Sequence, residues 1–216
     1  MSTQKSGESG PMFFQLTRFK KAENMHLPHP FSPVRTPAYA PLAVLLHWTL
    51  AVLIISMIAL GWFMMSIEDD PGSAWYFNLH KSIGLIIAGL VVLRLVWRLG
   101  HQPAPLPASI ARWQISASAV GHSLLYAAMV AMPFFGIVGS MLSKKDLLFF
   151  GIALPHVFQA NHDLAEIFFE AHSVTTWILV GLISLHALAG LKHLVIDKDG
   201  VFQRMWFSRQ GRQHGA

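Results

Sequence analysis

Three stretches of this chain hold no charged residue, and each is long enough to cross a membrane: 32 residues from 36 to 67, 31 from 113 to 143, and 21 from 171 to 191. A bilayer's hydrocarbon core takes about 20 apolar residues of helix. The windows predict transmembrane helices over 41–65, 118–141 and 171–195. A further apolar run over 79–99 carries Lys81 at one end and Arg94 and Arg98 at the other. Long basic side chains near helix ends can reach the headgroups, so this run is predicted to span as well. The expected fold is all-α, a transmembrane four-helix bundle.

Composition removes several alternatives. Only 12% of the 216 residues are charged, against about 25% in soluble domains. The absence of cysteine excludes disulfides, thiolate metal sites and thiolate-held iron–sulfur clusters. The net charge of +5 is thin and scattered, which argues against a nucleic-acid partner. Residues 1–38 are polar and rich in glycine and proline, without an apolar core of signal-peptide type. They are expected to form a disordered cytoplasmic tail. Residues 39–199 form the bundle domain, and 200–216 a basic cytoplasmic tail. Thirteen Lys and Arg fall on the side of the two termini and three (Lys81, Lys144, Lys145) on the other, together with Glu68, Asp69 and Asp70. The excess of basic residues on the inside of membranes predicts both termini cytoplasmic in a bacterial inner (plasma) membrane, with lipid as the surroundings. The LLFFGIALP run is too short to span and reads as an interfacial segment.

Helix direction then sorts the histidines by depth. His47 and His122 come early in inside-to-outside spans, so both lie toward the cytoplasmic side. His80 and His172 open the two spans that start outside. His186 follows His172 by 14 residues, close to four helical turns, so both face one stripe about 21 Å apart. Two sites stacked across the membrane is the reading that follows. Outside, His80 is the transmembrane candidate to pair with His172; inside, either His47 or His122 can pair with His186. Two neutral imidazoles on facing helices can fill both axial positions of a haem iron, and helix bundles build cofactor sites this way. Gly84, Gly89, Gly136, Gly139, Gly181 and Gly190 are candidates for backbone close enough to admit a flat macrocycle. Arg94, 14 residues after His80, and Lys81 are candidates for haem propionate contacts. A proton relay or a haem-free transporter is the competing class. It ordinarily uses intramembrane Asp or Glu, and the four predicted spans contain none.

The motifs LLHW, NLHKSIGLIIAGLVVLRLVWR, GHSLLYAAMVAMPFFGIVG and GLISLHALAGLKHLVIDKDGVFQRMW occur in that order. Over about residues 39 to 207 the chain resembles the bacterial cytochrome b561 family. It is more distantly similar to the di-haem cytochrome b subunits of membrane formate dehydrogenases and nickel–iron hydrogenases. The resemblance implies two haem b groups, with His47 and His186 as axial ligands of iron on the cytoplasmic side and His80 and His172 on the periplasmic side. It implies ubiquinone as electron acceptor, and His122 and His193 are candidate quinone contacts.

Some family members are superoxide oxidases, so the resemblance implies an oxidoreductase that moves electrons from periplasmic superoxide, or a small redox partner, to ubiquinone. Lys81, Lys144 and Lys145 can attract that anion, whereas Glu68, Asp69 and Asp70 oppose it. The alternative runs in reverse: a quinol-oxidising relay subunit that feeds a periplasmic acceptor or works with a dehydrogenase partner.

Overall fold

The computed structural model describes residues 39–101, 105–106 and 110–206. The N-terminal tail of the sequence reading, and the end of the chain after Trp206, lie outside the described residues. Four long helices carry the fold: α1 (Pro41–Ser66), α2 (Ser73–Gly100), α3 (Arg112–Leu142) and α4 (His162–Lys192). All four are long and apolar enough to cross a membrane. Leu45, Val52, Val96, Leu185 and Leu188 stand exposed on the outside of the bundle. Such a surface is stable against lipid and would drive association in water.

Three of the helices start before their predicted bounds: α2 by six residues, α3 by six and α4 by nine. Charge-free windows locate only the stretch inside hydrocarbon, whereas a helix continues into the headgroups, where Asp163, Glu166 and Glu170 are solvated. Local signals set the true ends. Pro41 occupies the first turn of α1, where its missing N–H is not needed. Gly72, at φ 94°, turns the chain into α2. The Asn161 side chain accepts the Leu164 N–H at 3.0 Å and caps α4.

The core sits at mid-height. Leu50, Ile54 and Met57 of α1, Ile87 and Val91 of α2, Ala128 of α3 and Leu179 of α4 form one buried cluster. Leu179 is 1% exposed. It lies seven residues from His172 and seven from His186, so this apolar layer separates the two histidine levels.

Between α3 and α4 the LLFFGIALP run forms a two-stranded antiparallel hairpin, β1 (Leu148–Phe149) and β2 (Ile152–Ala153). Phe150 and Gly151 turn it, at φ 47° and 90°, the positive-φ pair that two-residue hairpins favour. Ser82 of α2, 1% exposed, fixes the hairpin to the bundle. Its hydroxyl accepts the Phe150 N–H at 2.9 Å and lies 3.2 Å from the Leu148 carbonyl.

At the opposite end, α4 runs on through a π turn (His193–Asp197), and the chain folds back into a short 3₁₀ turn (Phe202–Met205). The sequence reading groups residues from 200 onward as a polar tail, yet the first of them pack against the bundle. Trp48 Nε1 donates to the Met205 carbonyl at 2.8 Å. Arg204 is 3% exposed, lies over the Tyr39 ring and donates to the Pro105 carbonyl at 3.3 Å. Phe202 fills the space beside Gly190.

Candidate functional site

Two histidine pairs stand at two levels of the bundle. Toward the end that carries the hairpin, His80 of α2 faces His172 of α4, ring centroids 6.2 Å apart and planes at 75°. Toward the end where α1 begins and α4 finishes (the termini end of the bundle), His47 of α1 faces His186 of α4 at 6.1 Å and 65°. His122 of α3 also approaches His186, at 5.3 Å. These separations bear on chemistry. With a metal–nitrogen bond of about 2.0 Å and about 1.1 Å from nitrogen to ring centre, two imidazoles opposed across one metal have centroids about 6.2 Å apart. Both facing pairs fit that value, and the His122–His186 approach is shorter than it.

The hairpin-end pair is held by packing. His172 Nδ1 lies 2.9 Å from the Met132 carbonyl oxygen. A carbonyl only accepts, so Nδ1 carries the proton and Nε2 keeps its lone pair, the tautomer a metal ligand needs. A Cβ on Gly136 would stand 3.0 Å from His172 Nδ1, and one on Gly61 would stand 3.4 Å from His80 Cε1. His80 Nδ1 is buried and has no hydrogen-bond partner among the described residues. A buried imidazole without a protein partner suits a group that completes it from outside the chain. Lys81 is adjacent and within electrostatic reach of Lys145.

The other pair has polar neighbours. Arg94 Nη2 is 3.1 Å from His47 Nδ1, and Nη1 donates to the Ala43 carbonyl at 3.3 Å. His122 is exposed, and its Nδ1 donates to the Ser118 carbonyl at 2.6 Å. His193, two turns beyond His186, lies 2.6 Å through Nδ1 from Asp199 Oδ2 and 3.3 Å from Asp197 Oδ2.

The structure therefore brings together His80 with His172, and His47, His122 and Arg94 around His186. The glycines divide differently from the expectation. Gly136 makes room for His172, Gly139 for Phe169 and Gly190 for Phe202, while Gly84 approaches only Met57. Among the described residues, a Cβ on Gly89 or Gly181 would meet nothing within 4 Å beyond its own helix. The sequence reading missed Gly61, because its neighbour is a ring on another helix. It also missed Asp199, whose pairing depends on a reversal that no periodicity marks.

The model of a family described as prokaryotic cytochrome b561 matches residues 38–208. Cytochrome b561 homolog 2 of Escherichia coli (strain K12) is 31% identical over 172 residues, which cover 77% of this chain and 90% of that protein. The probable superoxide oxidase CybB of Yersinia pestis is 28% identical over 176 residues, 80% of this chain and 98% of that one. Cytochrome b561 homolog 1 of Escherichia coli (strain K12) is 29% identical over 171 residues.

Proposed function

Because the chain belongs to the prokaryotic cytochrome b561 family, we propose that it carries electrons between two haem b groups, from superoxide at the periplasmic face to ubiquinone at the cytoplasmic face. It is a multi-pass protein of the bacterial inner membrane and a b-type cytochrome of electron transfer. The observation that carries the two-haem reading is the pair of centroid separations, 6.2 and 6.1 Å, on one stripe of α4.

Bound haem b supplies a one-electron carrier. His80 and His172 would hold one haem and His47 and His186 the other, two imidazoles to each, and haem held in this way would carry electrons rather than bind oxygen. The Met132 carbonyl keeps the proton of His172 on Nδ1 and so holds Nε2 ready. A proton on Nδ1 of His47 removes the acceptor that Arg94 now uses. The guanidinium is then free for a carboxylate, and a haem propionate is the nearest chemistry of that kind. Lys81 has the matching role at the outer edge. His122 and His193 are the candidate quinone contacts, since imidazole both hydrogen-bonds and exchanges protons near neutral pH.

The excess of Lys and Arg beside the termini supports the cytoplasmic assignment of that end. Lys81 and Lys145, close to one another, supply positive potential for an anion at the other end. The similarity to the probable superoxide oxidase of Yersinia pestis supports superoxide as donor. Glu68, Asp69 and Asp70 favour the reverse reading, in which quinol is oxidised and a periplasmic acceptor is reduced.

Purified protein should show a Soret band, split α bands after dithionite, and two haems per chain. His172→Ala should remove the outer haem only, and His186→Ala the inner one only. Two haems retained in either variant would disprove the pairing. Superoxide generated beside the reconstituted protein should reduce ubiquinone. Haem reduction by quinol without any superoxide rate would favour the reverse direction.

A further inference from the structure

The chain after α4 spends unusual backbone geometry on bringing one carboxylate back to His193. The helix ends in a π turn over His193–Asp197. Lys198 then adopts φ 50° and Gly200 φ 80°. A non-glycine residue rarely sits in the left-handed region. Asp199, between these two, is thereby folded back onto the ring. Its Oδ2 lies 2.6 Å from His193 Nδ1, and its Oδ1 accepts the Val201 N–H at 3.0 Å. Both partners are largely shielded, the His193 side chain 18% exposed and that of Asp199 13%. Asp197 is also near, at 3.3 Å, but is more exposed at 25% and is taken up by Lys192. Asp199 is therefore the carboxylate that defines the ring.

We propose that Asp199 is a positioning residue that holds His193 by Nδ1–H, so that Nε2 gives protons to the quinone as it is reduced. The inference rests on the reading of His193 as a quinone contact and adds the group that makes that contact directional. An ionised carboxylate has only acceptors, so the ring proton it holds is fixed on Nδ1. Nε2 is left for the substrate. Each quinone needs two electrons and two protons, one hydrogen on each carbonyl oxygen. The electrons come singly from the donor at the other end. The Nε2–H bond of protonated His193 breaks and an O–H bond forms on the carbonyl oxygen it faces, while the opposite carbonyl oxygen takes its proton from water. The ring is left neutral, still bound through Nδ1–H to Asp199, and water at the termini end restores the proton. The Asp199 carboxylate faces the imidazolium when it forms. Quinol oxidation is the same sequence read backward.

The test uses full-length holoprotein in nanodiscs, reduced with dithionite and mixed with a short-chain ubiquinone while haem reoxidation is followed. Asp199→Asn keeps an acceptor but removes the charge. It should slow the maximal rate about tenfold or more, leave the quinone concentration for half-maximal rate within twofold, and enlarge the solvent deuterium isotope effect. Haem content should be unchanged, and Asp199→Glu should recover part of the rate. Nitrogen-15 spectra of the histidines should show the Nδ1–H tautomer at His193 and its loss in Asp199→Ala. Asp197→Asn should stay within twofold of the parent. A full rate in Asp199→Asn, with His193→Ala slow, overturns the role of Asp199 and leaves the quinone contact standing. A full rate in His193→Ala overturns the contact itself. A loss in Asp197→Asn alone shows that the wrong carboxylate was chosen. If Asp199→Asn fails to hold haem, the isotope effect and the tautomer of Asp199→Glu decide: parent-like values with a normal rate support the dyad, and a mixed tautomer at normal rate refutes it.

Discussion

At the hairpin end, His80 and His172 are shut in by packing; at the termini end, His47 and His186 are surrounded by groups that can share or pass a proton. The outer level has a carbonyl on one ring, a glycine against each ring and a hairpin fixed beside it through Ser82. The inner level has Arg94, the exposed His122 and, two turns on, the His193–Asp199 dyad. The same four-helix frame thus packs one histidine level tightly and surrounds the other with polar groups. The chemistry assigned to each end under the proposed function follows that division.

The sharpest way to break the comparison is to attack the packing of the outer level alone. Gly136→Val sets a branched side chain where even a Cβ would stand 3.0 Å from His172 Nδ1. Under the proposed two-haem reading, haem per chain should fall from two to one by pyridine haemochrome assay, with the inner signal intact. Gly89→Ala, with open space around it, should keep both. Leu179 belongs to neither level. Leu179→Ala should cost about 2–4 kcal/mol, as other large-to-small changes in tight cores do. Reversible unfolding in mixed detergent measures it, and loss confined to one level would show that the core is not shared. Trp48→Phe removes the 2.8 Å bond to the Met205 carbonyl beside the inner level. It should lower stability by about 1 kcal/mol and loosen only the inner haem on heating.

The smallest effect concerns the outer loop. His156 is hydrogen-bonded by Asp146 at 2.9 Å, and that bond, with a backbone contact at Met141, raises its pKa above the ordinary imidazole value. A raised folded-state value means that the contribution is complete below the unfolded value of about 6.5. It is lost as pH climbs through the folded one. An NMR titration should give a midpoint above 6.5 that falls toward the ordinary range in Asp146→Asn. Both haems should be indifferent to that change.

The spans and the histidine stripe were readable from the chain because each depends on one-dimensional spacing. A lack of charge over about 20 residues has one good explanation, and 14 residues return a helix to the same face. What was not readable depends on contacts between elements. Gly61 acquires its meaning from a ring on α2, and Gly136 from one on α4. The hairpin looked like an apolar interfacial segment because its strands are two residues each, too short for alternation to register. Arg204 looked like part of a solvated tail, and its burial depends on Tyr39 and Pro105, far away in sequence.

The layer around Leu179 has a consequence for energy. Its buried members are all apolar, a layer that opposes the passage of an ion through the middle of the bundle. Under the proposed function, an electron carried to the cytoplasmic end would work against the voltage of an energised cell, at about 2.3 kcal/mol per charge per 100 mV for a full crossing. A well-charged membrane would then brake that flow, and a collapsing one would release it.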